Sequence, residues 1–153
     1  MQEYYRDTWA EIDLDAITHN VKQIKDLHPT KEIFAVVKAN GYGHGDAEVS
    51  KVAIEAGVSC LAVSGLDEAL RLRQSGIEVP ILVLGMTRLK DVALAAENNI
   101  SLTAHDEMWI EHLVSLPLTT PVKVHLKIDS GMHRLGLMDA NQIQTNFNLL
   151  KTA

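Results

Sequence analysis

Ile33-Phe34-Ala35-Val36-Val37-Lys38-Ala39-Asn40-Gly41-Tyr42-Gly43-His44-Gly45 is the stretch on which the fold turns. Its first five residues form a short apolar run rich in β-branched side chains, the pattern of a strand covered on both faces. Alternating glycines break the run. A helical pattern follows at once, with Asp46 placed to cap it, Val49, Val52, Ala53 and Ala56 on one face, and Gly57 at its end.

The same unit recurs downstream. Cys60-Leu61-Ala62-Val63 reads as the next strand and 67–74 as its helix, closed by Gly76. Pro80-Ile81-Leu82-Val83-Leu84 follows, then a helix capped by Thr87 with Leu89, Val92, Ala93 and Ala96 on one side. A strand at 100–103 leads to a helix opened by Asp106, carrying Trp109, Ile110, Leu113 and Val114. The fifth and longest strand is expected at 122–128, and Asp139 opens a last helix with Ile143, Phe147 and Leu150. Upstream, 9–14 alternates like a half-exposed strand, and Ile17, Val21, Ile24 and Leu27 mark a helix.

Five consecutive βα units imply an α/β fold with a parallel sheet, because each crossover helix returns the chain to the same end. Two architectures satisfy that: an open doubly wound sheet and part of an eight-stranded (β/α)8 barrel of the TIM type. Periodicity does not choose between them. Five units do not close a barrel, so in the second case the chain is a fragment. No Pro- or Gly-rich linker interrupts the series, and 1–153 reads as a single unit: an N-terminal strand segment at 1–14, then the βα units at 15–153.

Composition narrows the function classes. With 14 basic and 20 acidic residues the formal net charge is −6, so nothing here neutralises a run of nucleic-acid phosphates. The single cysteine, Cys60, has no partner for an internal disulfide and suits a reducing cytoplasm, where it is expected as a small buried hydrophobe. The strongest apolar run, 81–85, is far short of a membrane span. Met1-Gln2-Glu3-Tyr4-Tyr5-Arg6-Asp7 lacks the pattern of a signal peptide. Seven histidines show no H-E-x-x-H spacing and no cysteine partner, so no metal is expected. Trp9 and Trp109 fall at core-like positions.

Two segments carry chemistry. Lys38 stands at the C-terminal end of a buried strand, the end at which active sites form in both candidate folds. Partial desolvation there suits an amine to Schiff-base chemistry. The glycines let backbone approach a ligand, and Tyr42 between them offers a hydroxyl. The segment is neither a Walker loop, since no Gly-Lys-Ser/Thr follows, nor a dinucleotide fingerprint, since Asp46 replaces the third glycine. The alternative is a strand-end lysine reaching solvent beside a turn. The second segment is His125-Leu126-Lys127-Ile128-Asp129-Ser130-Gly131-Met132-His133-Arg134-Leu135-Gly136. Lys127 and Asp129 share one face, and Arg134 follows a glycine turn at the same end as Lys38. That arginine suits an anionic oxygen, or else an Asp–Arg or Asp–Lys pair that holds the loop.

These segments, together with Trp9-Ala10-Glu11-Ile12-Asp13-Leu14-Asp15-Ala16-Ile17 and His19-Asn20, resemble bacterial alanine racemase from Trp9 to about Gly136. Val37-Lys38-Ala39-Asn40-Gly41-Tyr42-Gly43-His44-Gly45 matches the family's pyridoxal-phosphate attachment signature, and Lys127 to Gly136 is a second match. The resemblance implies a fold-type III enzyme, a (β/α)8 barrel followed by a C-terminal β domain, acting as a cytoplasmic homodimer on alanine for the cell wall. It implies that Lys38 attaches pyridoxal 5'-phosphate and moves the α-proton on one face. Tyr42 would bind the cofactor phosphate. Arg134 would bind its phenolic oxygen and the substrate, and Lys127, carbamylated in some members, would steady that arginine. The second base implied is a tyrosine of the partner's C-terminal domain. Family chains are more than twice as long, so a fragment without that domain is expected to be inactive or nearly so. Serine or a broader amino-acid range is the rival substrate. A non-catalytic pyridoxal-phosphate carrier is the rival class, and it lacks the Gly41-Tyr42-Gly43-His44-Gly45 run.

Overall fold

The computed structural model describes residues 5 and 7–152; the remaining N-terminal residues of the stretch read for a signal peptide, and Ala153, lie outside the described residues. Helix α1 (Leu14–Leu27) leads into strand β1 (Phe34–Val36) and a tight turn, then α2 (Asp46–Glu55), β2 (Cys60–Val63), α3 (Leu66–Gln74) and β3 (Ile81–Val83). A short 3-10 turn (Leu89–Asp91) precedes α4 (Val92–Glu97), followed by β4 (Ile100–Ala104), α5 (Glu107–Val114), β5 (Val124–Leu126) and α6 (Ala140–Thr152).

All pairings are parallel, and the strand order is β1-β2-β3-β4-β5. This order decides between the two architectures left open above. A doubly wound sheet reverses its strand order at a switch point, whereas sequential order with right-handed crossovers keeps every helix on one side. The curvature agrees. In a flat sheet the outer strands of five would stand roughly 19 Å apart. Here the rings of Phe34 on β1 and His125 on β5 meet edge-on, with centroids 6.3 Å apart. The sheet is the curled wall of a barrel.

Register and alternation sort the side chains between the two faces of that wall. Leu61, Val63, Ile81, Val83, Ile100 and Leu102 point outward and form one core with Ala53, Leu72, Val92, Ala95 and Ile110 from the helices. The inward set includes Phe34, Cys60, Ala62, Leu82, Ser101, Thr103 and His125. Thr103 is buried there by donating its hydroxyl to the carbonyl of Val83 at 2.7 Å. Cys60 is buried as expected, and burial pushes its thiol up to about 11.

Several sequence expectations change. Residues 9–13 form no strand, and Trp9 is 57% exposed, whereas Trp109 is buried and donates its indole N–H to the carbonyl of Thr87. An alternating pattern needs a neighbouring strand before it can pair, and none runs beside it among the described residues. The fifth strand spans three residues, and β4 is the longest at five. Asp46 is the first residue of α2 and not its cap, because its carboxylate is drawn into a two-bond pair with Arg71. Thr87 precedes the 3-10 turn without capping a helix. Asp106 does cap α5, accepting from the backbone N–H of Trp109 at 2.8 Å.

At the opposite end of the barrel from Lys38, one arginine gathers the chain. The Arg73 guanidinium donates to the carbonyls of Ile77, Val79, Asn98 and Asn99 at 2.7–2.9 Å. These close the loop before β3 and the end of α4. Replacing Arg73 with alanine strands four carbonyls and is expected to destabilise the fold by about 2–3 kcal/mol. Thermal melting should report this as a fall of roughly 5–10 °C, and an unchanged melting curve would contradict it.

Candidate active site

The site is built on the ends of the two outermost strands. Val37 is buried and donates its N–H to Ala62 of β2, so the chain is held until the residue before Lys38. There it turns sharply. Ala39, Asn40, Gly41 and Tyr42 all adopt left-handed backbone, with φ of 51°, 55°, 60° and 55°. The result is one left-handed helical turn, with Gly41 N–H on the Val37 carbonyl and Gly43 N–H on the Ala39 carbonyl. Left-handed backbone costs about 1–2 kcal/mol for an ordinary L residue and less for glycine or asparagine. Strain of this size persists only where neighbours over-determine it.

Those neighbours are identifiable. The Glu68 carboxylate accepts from the Ala39 N–H at 2.7 Å, and from Ser64 and Gly65 N–H at 2.7 and 3.2 Å. Asn40 Oδ1 accepts from the Asp46 N–H. The His44 ring nitrogen Nδ1 lies 3.0 Å from the Gly41 carbonyl. The Asp46–Arg71 pair, at 2.9 and 3.1 Å, ties the start of α2 to α3. Gly41 packs its Cα against Asp46 and Val49, where a Cβ would sit 3.4 Å from the Asp46 backbone.

On this base stands Lys38. Its Nζ lies 5.9 Å from the centroid of the Tyr42 ring, within cation–π range. Among the described residues no carboxylate pairs with it, so the amine is uncommitted. Tyr42 is exposed. Glu68 and Arg71 were not singled out from the sequence. The signal for Glu68 was present: an acid three residues beyond Gly65 is the second half of a capping box.

Lys127 follows β5 and donates its backbone N–H to Ala104 of β4. A loop of residues 129–136 then leaves and returns. Its neck is closed by Asp129 N–H on the Leu137 carbonyl and Leu137 N–H on the Lys127 carbonyl, both at 2.9 Å. Gly136, with φ of 120°, sits in that neck. Arg134 is exposed on the loop, without a side-chain hydrogen bond or ion pair among the described residues. Asp129 therefore pairs with neither Arg134 nor Lys127. Its side chain, 4% exposed, turns into its own loop and accepts from the Gly131 N–H at 2.9 Å. No hydrogen bond, ion pair or ring contact joins Lys38 or Tyr42 to Lys127 or Arg134 among the described residues. Parallel topology nonetheless brings all four to one end of the barrel wall.

Hydrogen bonds from Gly131 and then His133, outweighing desolvation, hold the Asp129 carboxyl below its ordinary value of 3.8. A depressed carboxyl stabilises the loop above its ordinary value and loses that effect as pH falls through the folded value. Acidification below 3.8 is therefore expected to loosen residues 129–136 before the barrel wall. Faster amide exchange at Gly131 would report it, and Asp129→Asn should remove the dependence.

A parallel sheet in sequential strand order, curled until its first and fifth strands approach, is the front part of a (β/α) barrel. The sequence profile of the alanine racemase N-terminal domain matches residues 12–153, and the chain belongs to that family. It is 56% identical over 144 residues to alanine racemase of Geobacillus kaustophilus, covering 93% of this chain and 38% of that protein. It is 47% identical over 148 residues to alanine racemase 1 of Bacillus subtilis, again covering 38% of it. Alanine racemase of Bacillus anthracis, solved with bound L-Ala-P, superposes with a TM-score of 0.91 at 45% identity, over 98% of this chain and 39% of that one. A histidine racemase of Leuconostoc mesenteroides superposes with a TM-score of 0.85 at 35% identity, over 91% of this chain and 38% of that one. The chain thus spans about two fifths of the length of the relatives it matches.

Proposed function

We propose that this chain supplies the cofactor-attaching face of a pyridoxal-phosphate-dependent alanine racemase. The parent enzyme is cytoplasmic, acts as a homodimer and interconverts L- and D-alanine for peptidoglycan. The observation that carries this reading is the uncommitted Lys38 amine, set beside Tyr42 on a strained left-handed turn at the end of β1.

The donor set suits pyridoxal phosphate. Lys38 offers an unpaired amine for its aldehyde, Tyr42 an exposed hydroxyl for its phosphate, and Arg134 a free guanidinium for its phenolic oxygen. Bound there, the cofactor supplies the electron sink that makes a substrate α-proton acidic. Lys38 Nζ takes or returns that proton on one face. Arg134 also holds the substrate, and Lys127, at the end of β5, would steady that arginine. One amine returns a proton to the side from which it came, so inversion needs a second acid–base group opposite. In the proposed parent that group is a tyrosine of the partner's C-terminal β domain. The 153-residue chain alone is accordingly expected to show no appreciable turnover.

The alanine assignment rests on relatives near 50% identity. The likeness to a histidine racemase favours a second reading, in which the same barrel wall serves another side chain and selectivity lies in the remainder of the parent.

The test is trapping. The chain is incubated with pyridoxal phosphate, reduced with borohydride and mapped by peptide mass. Modification confined to Lys38 is expected. Labelling spread over the surface lysines, with Lys38 no more modified than the rest, would overturn the proposal.

A further inference from the structure

One side chain beneath the site has a bonding pattern that its own helix does not require. Glu68 is the third residue of α3, and an acid there caps the helix by accepting backbone N–H groups just before it. One carboxylate oxygen does so, taking Ser64 and Gly65 N–H at 2.7 and 3.2 Å. The other oxygen takes the Ala39 N–H at 2.7 Å. That amide lies 29 residues earlier in the chain, on a different strand end, and is the one that joins Ala39 to Lys38. It also opens the strained turn, and Ala39 is otherwise exposed.

We infer that Glu68 is a positioning residue for the Lys38 amine: its second oxygen fixes the Lys38–Ala39 peptide and so the height of Nζ above the Tyr42 ring. This rests on the reading of Lys38 as the attachment lysine. The physical reason is the number of acceptors. A hydrogen bond to an ionised acceptor is worth about twice a neutral one, and Ala39 and Tyr42 each need such an offset to hold a left-handed conformation. Only a carboxylate accepts on both oxygens. A carboxamide of the same shape accepts on one and donates on the other.

That asymmetry makes Glu68→Gln a selective variant. Its carbonyl oxygen serves the two helix-capping N–H groups, and its NH2 then faces the Ala39 N–H, donor against donor. The cap survives and the lysine's peptide is released. The fully buried core behind it, including Leu72, is untouched.

The experiment reads the chain by NMR without cofactor. In the unsubstituted chain the Ala39 amide should exchange slowly despite its exposed position, and the Lys38 ε-methylene signal should be displaced by the Tyr42 ring current. In E68Q the Ala39 amide is expected to exchange at least ten times faster, the Lys38 signal to move to the position of the other lysines, and the Leu72 amide to keep its rate. A freely exchanging Ala39 amide in the unsubstituted chain would overturn the inference, and so would an unmoved Lys38 signal in E68Q. Neither readout involves pyridoxal phosphate. Failure of Lys38 to capture the cofactor therefore strikes the functional reading, and an unmoved Lys38 signal strikes the role of Glu68.

Discussion

Lys38→Ala is expected to abolish cofactor capture at the strand end and to lower racemisation by the parent enzyme at least about 10³-fold. The size follows from the roles that converge on one nitrogen. In the proposed function the amine is both the attachment point and the proton carrier on its face, so both would be lost together. The structural cost should be small. The side chain's described contact is with the Tyr42 ring, and the turn is held by backbone bonds and by Glu68. Circular dichroism and melting temperature should stay close to the parent's. Lys38→Arg sharpens the test, because it keeps a cation over Tyr42 and removes the nucleophile. If charge alone mattered, arginine would retain capture. If the amine matters, both variants fail, and a small amine added to the alanine variant restores part of the rate. Turnover above one tenth of the parent's in either variant would refute the assignment.

The legibility of this chain in its sequence divides along the range of the forces involved. The βα rhythm was legible because β-branched runs such as Ile81-Leu82-Val83 and capping residues such as Asp106 act within a few positions. Strand order was not, because doubly wound and barrel sheets bury the same apolar runs. It took the neighbour relations and the approach of Phe34 to His125 to decide it. The alternation at 9–14 is not expressed as a strand here, because a strand is defined by its partner. The turn after β1 was legible from its glycines, yet its handedness was hidden: glycines at 41 and 43 permit positive φ, but their presence does not demand it of Ala39 or Tyr42. That demand comes from Glu68, whose carboxylate takes the Ala39 N–H across 29 residues of sequence, and from the Asp46 backbone on Asn40, held in place by Arg71 across 25. Asp129 shows the converse. Its spacing suited a pair with Lys127 or Arg134, but the nearest donors are the amides of its own loop, and bonds that need no long side chain ordered first win.

Those loop bonds make Gly136 a position at which a small change has a wide effect. A methyl group added there would lie 2.8 Å from the Asp129 nitrogen and 3.0 Å from both the Ile128 carbon and the Lys127 oxygen. All three are backbone atoms, so none can rotate away, and its φ of 120° is itself open to glycine almost alone. Gly136→Ala must therefore open the neck, breaking the exchange of bonds between Leu137 and the Lys127 and Asp129 backbone. The expected cost is about 2–3 kcal/mol. Its character should differ from that of Arg73→Ala, which weakens the opposite end of the barrel. Here amide exchange should rise at Asp129 and Leu137 while Leu61 and Ile81 in the wall keep their protection. The loop that carries Arg134 would lose its fixed origin, so affinity of the parent for pyridoxal phosphate should fall about tenfold or more, with Lys38 still able to react once the cofactor arrives. Gly131→Ala is the matched control: it is also at positive φ, but a Cβ there meets nothing within 4 Å. It should cost only backbone strain and leave the neck closed. If the two alanine variants bind the cofactor equally well, the neck does not position Arg134, and the arginine's role must be assigned to the loop's own contacts.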